Sequence, residues 1–203
     1  MSDAAVAAAT HGHGAILSEA EQEYARGKLG MWLFLASEVM FFGGFIAAYV
    51  VLRMGDTHHV FDGSVLNWRI AAFNTVVLLF SSLTMALAIH SIQKGDVKGL
   101  QLNLFITILC GFVFLLVKFY EYGTKFMHGI TPGTNVWYSV YFTLTGFHGL
   151  HVIGGIVVLS ALLIWAIQGK YNDKNWAGIE FTGLYWHLVD VVWIFLFPIL
   201  YLL

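Results

Sequence analysis

Residues 137–167 read WYSVYFTLTGFHGLHVIGGIVVLSALLIWAI, an apolar run interrupted near its middle by Phe147-His148-Gly149-Leu150-His151. A helix needs roughly 20 apolar residues to cross about 30 Å of hydrocarbon, so this run is long enough to span a bilayer. On such a helix His148 and His151 lie three apart and share a face with Tyr141, Leu144 and Gly155, because positions three and four apart are neighbours on a helical surface. The stripe is partly polar and partly small. In hydrocarbon a face of that kind turns toward protein, since polar side chains avoid lipid and glycine admits a neighbouring backbone.

The whole chain has the same character. Of its 203 residues 59% are hydrophobic and 11% charged, and the mean hydropathy is +0.75, which defines an integral membrane protein. A formal net charge of −2 gives no electrostatic case for nucleic acid. The single cysteine, Cys110, lies in an apolar run, cannot form an internal disulfide, and reads as a packing residue.

Five apolar spans follow one another, at 29–52, 70–92, 100–117, 137–167 and 179–203. Runs of this length argue against the short alternating strands of a membrane barrel, and no span repeats another. The expected fold is an all-α bundle of five transmembrane helices over residues 27–203. Residues 1–26 are expected to be a flexible tail, Ala-rich and then polar, without the cationic start and apolar core of a cleaved signal. Within it His11 and His13 could buffer protons near a surface or bind a metal adventitiously, although the composition favours plain disorder. With a cytoplasmic N-terminus, that side of the membrane carries Arg26, Lys28, Lys94, Lys98, Lys170 and Lys174, against Arg53, Arg69, Lys118 and Lys125 on the other. This excess favours N-in, which leaves the C-terminus periplasmic.

Polar groups at mid-span need partners. Glu38 sits near the centre of the first span, where an ionised carboxylate costs about 2.5–3.5 kcal/mol on insertion scales, so it should be either protonated or paired. Phe34, Phe41, Phe42, Phe45 and Tyr49 lie on or beside its face, a stripe that reads first as helix packing. In the last span His187 and Asp190 are three apart and flanked by Trp186 and Trp193. They suit a proton carrier, an oriented metal ligand or a self-satisfied structural pair. Lys118 and Glu121 read as an interfacial ion pair at the end of the third span.

Haem would need facing axial ligands, for which His148 or His151 against His187 is the candidate arrangement. The paired Glu-x-x-His motifs of a di-iron site, the Cys and His clusters of zinc, phosphate loops and a nucleophilic serine elbow are missing from the sequence. The residues alone favour a cofactor-free helical subunit over a b-type haem carrier. An independent proton transporter using Glu38 and Asp190 lies between the two, and the helix breaks at matching points of two repeats that mark transporters are lacking.

Three stretches carry the reading further: Ser37-Glu38-Val39-Met40-Phe41-Phe42, Thr145-Gly146-Phe147-His148-Gly149-Leu150-His151-Val152, and Tyr185-Trp186-His187-Leu188-Val189-Asp190-Val191-Val192-Trp193. In this order they resemble subunit III of the haem-copper terminal oxidases, in the shorter five-helix bacterial form. The resemblance implies a multi-pass subunit of the bacterial inner membrane that binds no haem or copper itself and packs on a subunit I that does. That complex reduces dioxygen to water and pumps protons, fed by cytochrome c or, alternatively, by quinol. It also implies bound phospholipid and contacts with further oxidase subunits, leaving membership of a larger respiratory supercomplex open. Glu38 matches the family glutamate that reacts with hydrophobic carbodiimides. The implied structural or proton-related polar groups are Glu38, a buried and protonated carboxyl facing subunit I or its lipid, and His148, His151, His187 and Asp190, whose hydrogen bonds lock the fourth and fifth spans together. Phe41, Phe42, Tyr185, Trp186 and Trp193 are implied contacts to subunit I or lipid, and His11 and His13 a proton antenna.

Overall fold

The computed structural model describes residues 18–56, 66–172 and 175–202. Five helices occupy nearly all of them: α1 Glu19–Met54, α2 Trp68–Gln93, α3 Val97–Met127, α4 Val136–Ile167 and α5 Ala177–Tyr201. Each is long and apolar enough to cross a membrane. The chain divides into two compact units, Met1–Phe34 and Leu35–Leu203, with the boundary inside α1.

Helix ends follow local chemistry. Asn67, Asp96 and Asn135 cap α2, α3 and α4 by accepting hydrogen bonds from the backbone of Arg69, Gly99 and Tyr138, at 3.2, 3.0 and 2.8 Å, satisfying donors that the first turn leaves free. Beyond the C-caps of the same three helices the backbone turns through Gly95, Gly129 and Gly169 at φ of +76°, +73° and +75°, a conformation a side chain resists.

Two boundaries differ from the sequence expectation by ten residues, the others by three or fewer. Helix α1 begins at Glu19, inside the stretch expected to be a tail. Ser18 and Glu21 form a reciprocal cap there, Ser18 N donating to Glu21 Oε2 at 2.8 Å and Glu21 N to Ser18 Oγ at 3.4 Å, the S-x-x-E box that starts helices. Helix α3 runs ten residues past Val117 to Met127, because the charges that looked like its end are neutralised within the protein.

In the larger unit α2 packs against α3 and α5, and α4 against α3 and α5, closing a ring of four helices. Small residues set the spacing. A Cβ on Gly155 would stand 2.7 Å from the Trp186 ring, so α4 and α5 approach as closely as that indole permits. Trp186 and Trp193 are fully enclosed, and their indole N–H groups donate to Ser81 Oγ and Thr75 Oγ1 of α2, each at 3.1 Å. From Leu35 onward α1 stands apart. Among the described residues none of its Cα atoms comes within 8 Å of another helix, and only side chains bridge the interval.

Candidate functional site

The bridge between α1 and α4 is built from the paired groups of the first and fourth spans. Glu38 Oε2 lies 2.9 Å from His151 Nε2, with side-chain exposures of 17% and 20%. His151 Nδ1 lies 2.7 Å from the Phe147 carbonyl one turn back. A carbonyl only accepts, so Nδ1 carries a proton and Nε2 faces the carboxyl. One further proton is then shared between Nε2 and Glu38: either a neutral acid donates to a neutral imidazole, or an imidazolium donates to a carboxylate. Both states leave the pair without net charge, which answers the cost of a lone carboxylate at this depth. Tyr185 of α5 donates to the His151 carbonyl at 3.0 Å and brings that helix to the site as well.

Aromatic rings form the walls. Phe41 meets Phe147 edge-on at 5.5 Å, Phe45 stacks on Phe147 at 5.3 Å, and Phe42 stands edge-on to the His151 ring at 5.0 Å. These side chains hold the two backbones apart and leave a groove of about 560 Å³ lined by Ser37, Glu38, Phe41, Phe147, Leu150, His151 and Tyr185. Farther along the same seam Tyr49 closes the interval by donating to the Ile199 carbonyl at 2.9 Å. Carboxyl and imidazole therefore sit at mid-depth in the wall of an apolar slot, able to hold a proton there.

Removing one partner leaves the other with an uncompensated polar group. His151→Leu is expected to lower stability by about 1–2 kcal/mol, and adding Glu38→Leu to it should recover part of that loss. A double-mutant cycle on thermal unfolding checks this, and strictly additive losses would show that the two side chains do not depend on each other.

The remaining polar residues take other places. His148 and His151 were expected to share one face but diverge, because positions three apart are still about 60° apart around a helix. His148 is enclosed, packed between Phe114 and Trp193 with ring centroids 5.5 and 5.1 Å away, and neither nitrogen has a partner among the described residues. His187 pairs with α2, its Nδ1 2.6 Å from Ser82 Oγ. Asp190 is 2% exposed, and neither of its carboxyl oxygens has a hydrogen-bond partner among the described residues. The expected lock between the fourth and fifth spans therefore takes a different form: His151 reaches α1 and His187 reaches α2. The three imidazoles address three different surroundings, an arrangement unlike facing haem ligands. Trp186 and Trp193, expected at a subunit or lipid surface, are core residues at 0% exposure, and Phe42 at 3% lies within the seam. Phe41 remains 40% exposed. His11 and His13 lie outside the described residues.

The Lys118-Glu121 ion pair expected from the sequence is present, but as part of a buried polar cluster rather than at an interface. Lys118, expected at an interface, is enclosed and donates to Glu121 Oε2 at 3.0 Å and to Tyr201 Oη at 2.6 Å. Tyr141 and Tyr201 each donate to Glu121 Oε1 at 2.9 Å, and Lys118 Nζ stands 4.5 Å above the Trp193 ring. Lys125 Nζ lies 4.0 Å from the same carboxylate. The signal was present in the spacing, since 118, 121 and 125 repeat at three and four and fall on one helical face.

A ring of four transmembrane helices, with a fifth held on by an acid-imidazole pair and no cluster of three or more metal-ligating side chains among the described residues, defines a polytopic membrane subunit. Residues 13–203 match the family described as cytochrome c oxidase subunit III. The chain is 38% identical over 177 residues to cytochrome c oxidase subunit 3 of Thermostichus vulcanus, covering 86% of each chain. It is 37% identical over 173 residues to the probable cytochrome c oxidase subunit 3 of Mycobacterium leprae, covering 85% of this chain and 86% of that one. Quinol oxidase subunit 3 of Bacillus subtilis is 32% identical over 196 residues, 96% of each chain. The chain belongs to the cytochrome c oxidase subunit III family, and is a multi-pass subunit of a haem-copper respiratory oxidase.

Proposed function

We propose that this subunit serves an oxidase fed by cytochrome c, stabilises the metal-bearing subunit I and supports proton delivery to it, while its α1–α4 groove holds phospholipid. The observation that carries the reading is the match to the subunit III family from residue 13 to residue 203, which takes in all five helices. Identities of 35–38% to the cytochrome c oxidase relatives against 32% to the quinol oxidase relative favour cytochrome c as donor. The longer alignment to the quinol enzyme, 96% of each chain, keeps quinol as the second reading.

A cytoplasmic N-terminus is supported further by the placement of the basic residues. Lys118 and Lys125 are enclosed beside Glu121, which leaves half-buried Arg53 and exposed Arg69 as the remaining cations on that side, against the six basic residues that the sequence assigns to the other side. Phe41, Phe147 and Leu150 supply apolar walls to the groove, against which acyl chains can lie. The tail histidines His11 and His13 act as a proton antenna at the cytoplasmic face.

Purification through a tag on this chain is expected to bring down a haem- and copper-containing subunit I, with oxygen consumption driven by reduced cytochrome c. Turnover with quinol alone would reassign the donor, and recovery of the chain without oxidase subunits would remove the reading. Deleting residues 1–17 from the complex is expected to slow proton uptake without loss of assembly. An unchanged uptake rate would remove the antenna.

A further inference from the structure

Close to the middle of α5 and α2, helices of 25 and 26 residues, the outer surface of the ring carries a histidine that the described residues leave half served. His187 Nδ1 meets Ser82 Oγ at 2.6 Å, while Nε2 meets no donor or acceptor among the described residues. The imidazole is only half-buried. Around it the surface is apolar: Leu79 and Leu83 on α2, and Val191 and Ile194 on α5, are 40–55% exposed. Acyl chains offer nothing to an imidazole nitrogen, so this one calls for protein.

The other outer surfaces make no such demand. At the α1–α4 seam His151 uses both ring nitrogens, on Glu38 and on the Phe147 carbonyl. The exposed face of α3, with Phe105, Leu109, Phe112 and Leu116, is apolar throughout and suits lipid. On α2, Ser82 and Ala86 lie one turn apart on the open side, small enough for another helix to come close.

We propose that the α2–α5 face centred on Ser82 and His187 is the docking surface for a transmembrane helix of a neighbouring oxidase subunit. That helix presents a hydrogen-bonding side chain to His187 Nε2 at mid-depth. The inference rests on the chain being an oxidase subunit and adds which of its faces meets the partner, and through which atom.

A photo-crosslinking residue placed at Leu83, Val191 or, as control, Phe112 in the tagged, assembled complex tests it. Positions 83 and 191 are expected to crosslink to one membrane subunit of the complex at least ten times more than position 112. Adducts from 83 and 191 that are lipid, or a second copy of this chain, overturn the proposal, as does crosslinking to protein from 112 alone. His187→Leu is expected to be lost from the purified complex by tenfold or more while His187→Gln, which keeps a hydrogen-bonding group, is retained. Retention of both at parental yield overturns it, and if His187→Leu fails to accumulate, the crosslinks decide. A parental chain that purifies without companions defeats the subunit reading itself, whereas companions crosslinked from the wrong face defeat only the docking surface.

Discussion

Glu121→Leu is expected to destabilise the chain by about 3–5 kcal/mol, the usual cost of removing one partner from a buried ion pair. The reason lies in what remains. Lys118 and Lys125 are 7% and 8% exposed, and Glu121 is the carboxylate both face, at 3.0 and 4.0 Å. Without it two ammonium groups stand beside each other in a low-dielectric interior, and the hydroxyls of Tyr141 and Tyr201 lose the acceptor that orients them. The expected result is a chain that fails to accumulate in membranes or leaves the complex on mild heating. Replacing all three charges together, as Lys118→Met with Glu121→Leu and Lys125→Met, should recover much of the loss, because a buried pair exchanged for apolar groups is often neutral. Parental stability in the single variant would show that the cluster is not the clasp described here.

Gly155→Val should be nearly as damaging for a steric reason. The added Cβ would lie 2.7 Å from two carbons of the Trp186 ring, and that indole cannot retreat, being at 0% exposure and tied to Ser81. Overpacking of this kind costs about 1–3 kcal/mol in well-packed interiors, and a second branch on the same carbon places the cost toward the upper end. Unfolding midpoints of the complex carrying Gly155→Ala and Gly155→Val should fall in that order. Restoration by a smaller ring, Trp186→Phe, would locate the fault at the α4–α5 contact, and a Gly155→Val protein with an unshifted midpoint would deny the close approach.

Much of this was readable from the sequence, for a simple reason. Hydrocarbon demands long uninterrupted apolar runs, and the five runs are unmistakable. The demand that Glu38 be protonated or paired was also legible, since it follows from depth alone. Its partner was not, because His151 lies 113 residues away and no local spacing encodes a contact at that separation. His148 and His151 looked equivalent because a spacing of three counts as one face, while in the packed ring the 60° between them separates an enclosed position from the α1 seam. The end of α3 was misjudged because Lys118 and Glu121 look like a water boundary when the tyrosines that bury them are out of view. The Ser18-Glu21 cap is legible as an S-x-x-E box, but the Ala-rich and polar composition around it points to a tail.

The Lys118-Glu121-Tyr201 clasp has a consequence for biosynthesis. Tyr201 follows Glu121 by 80 residues, so at roughly 5–20 residues per second the charged pair leaves the ribosome several seconds before its hydroxyl partner. Until α5 has emerged and joined the others, those charges stand at the translocon exit without their lid. A chain stalled in that window would carry the buried charges without the hydroxyl that Tyr201 brings to them.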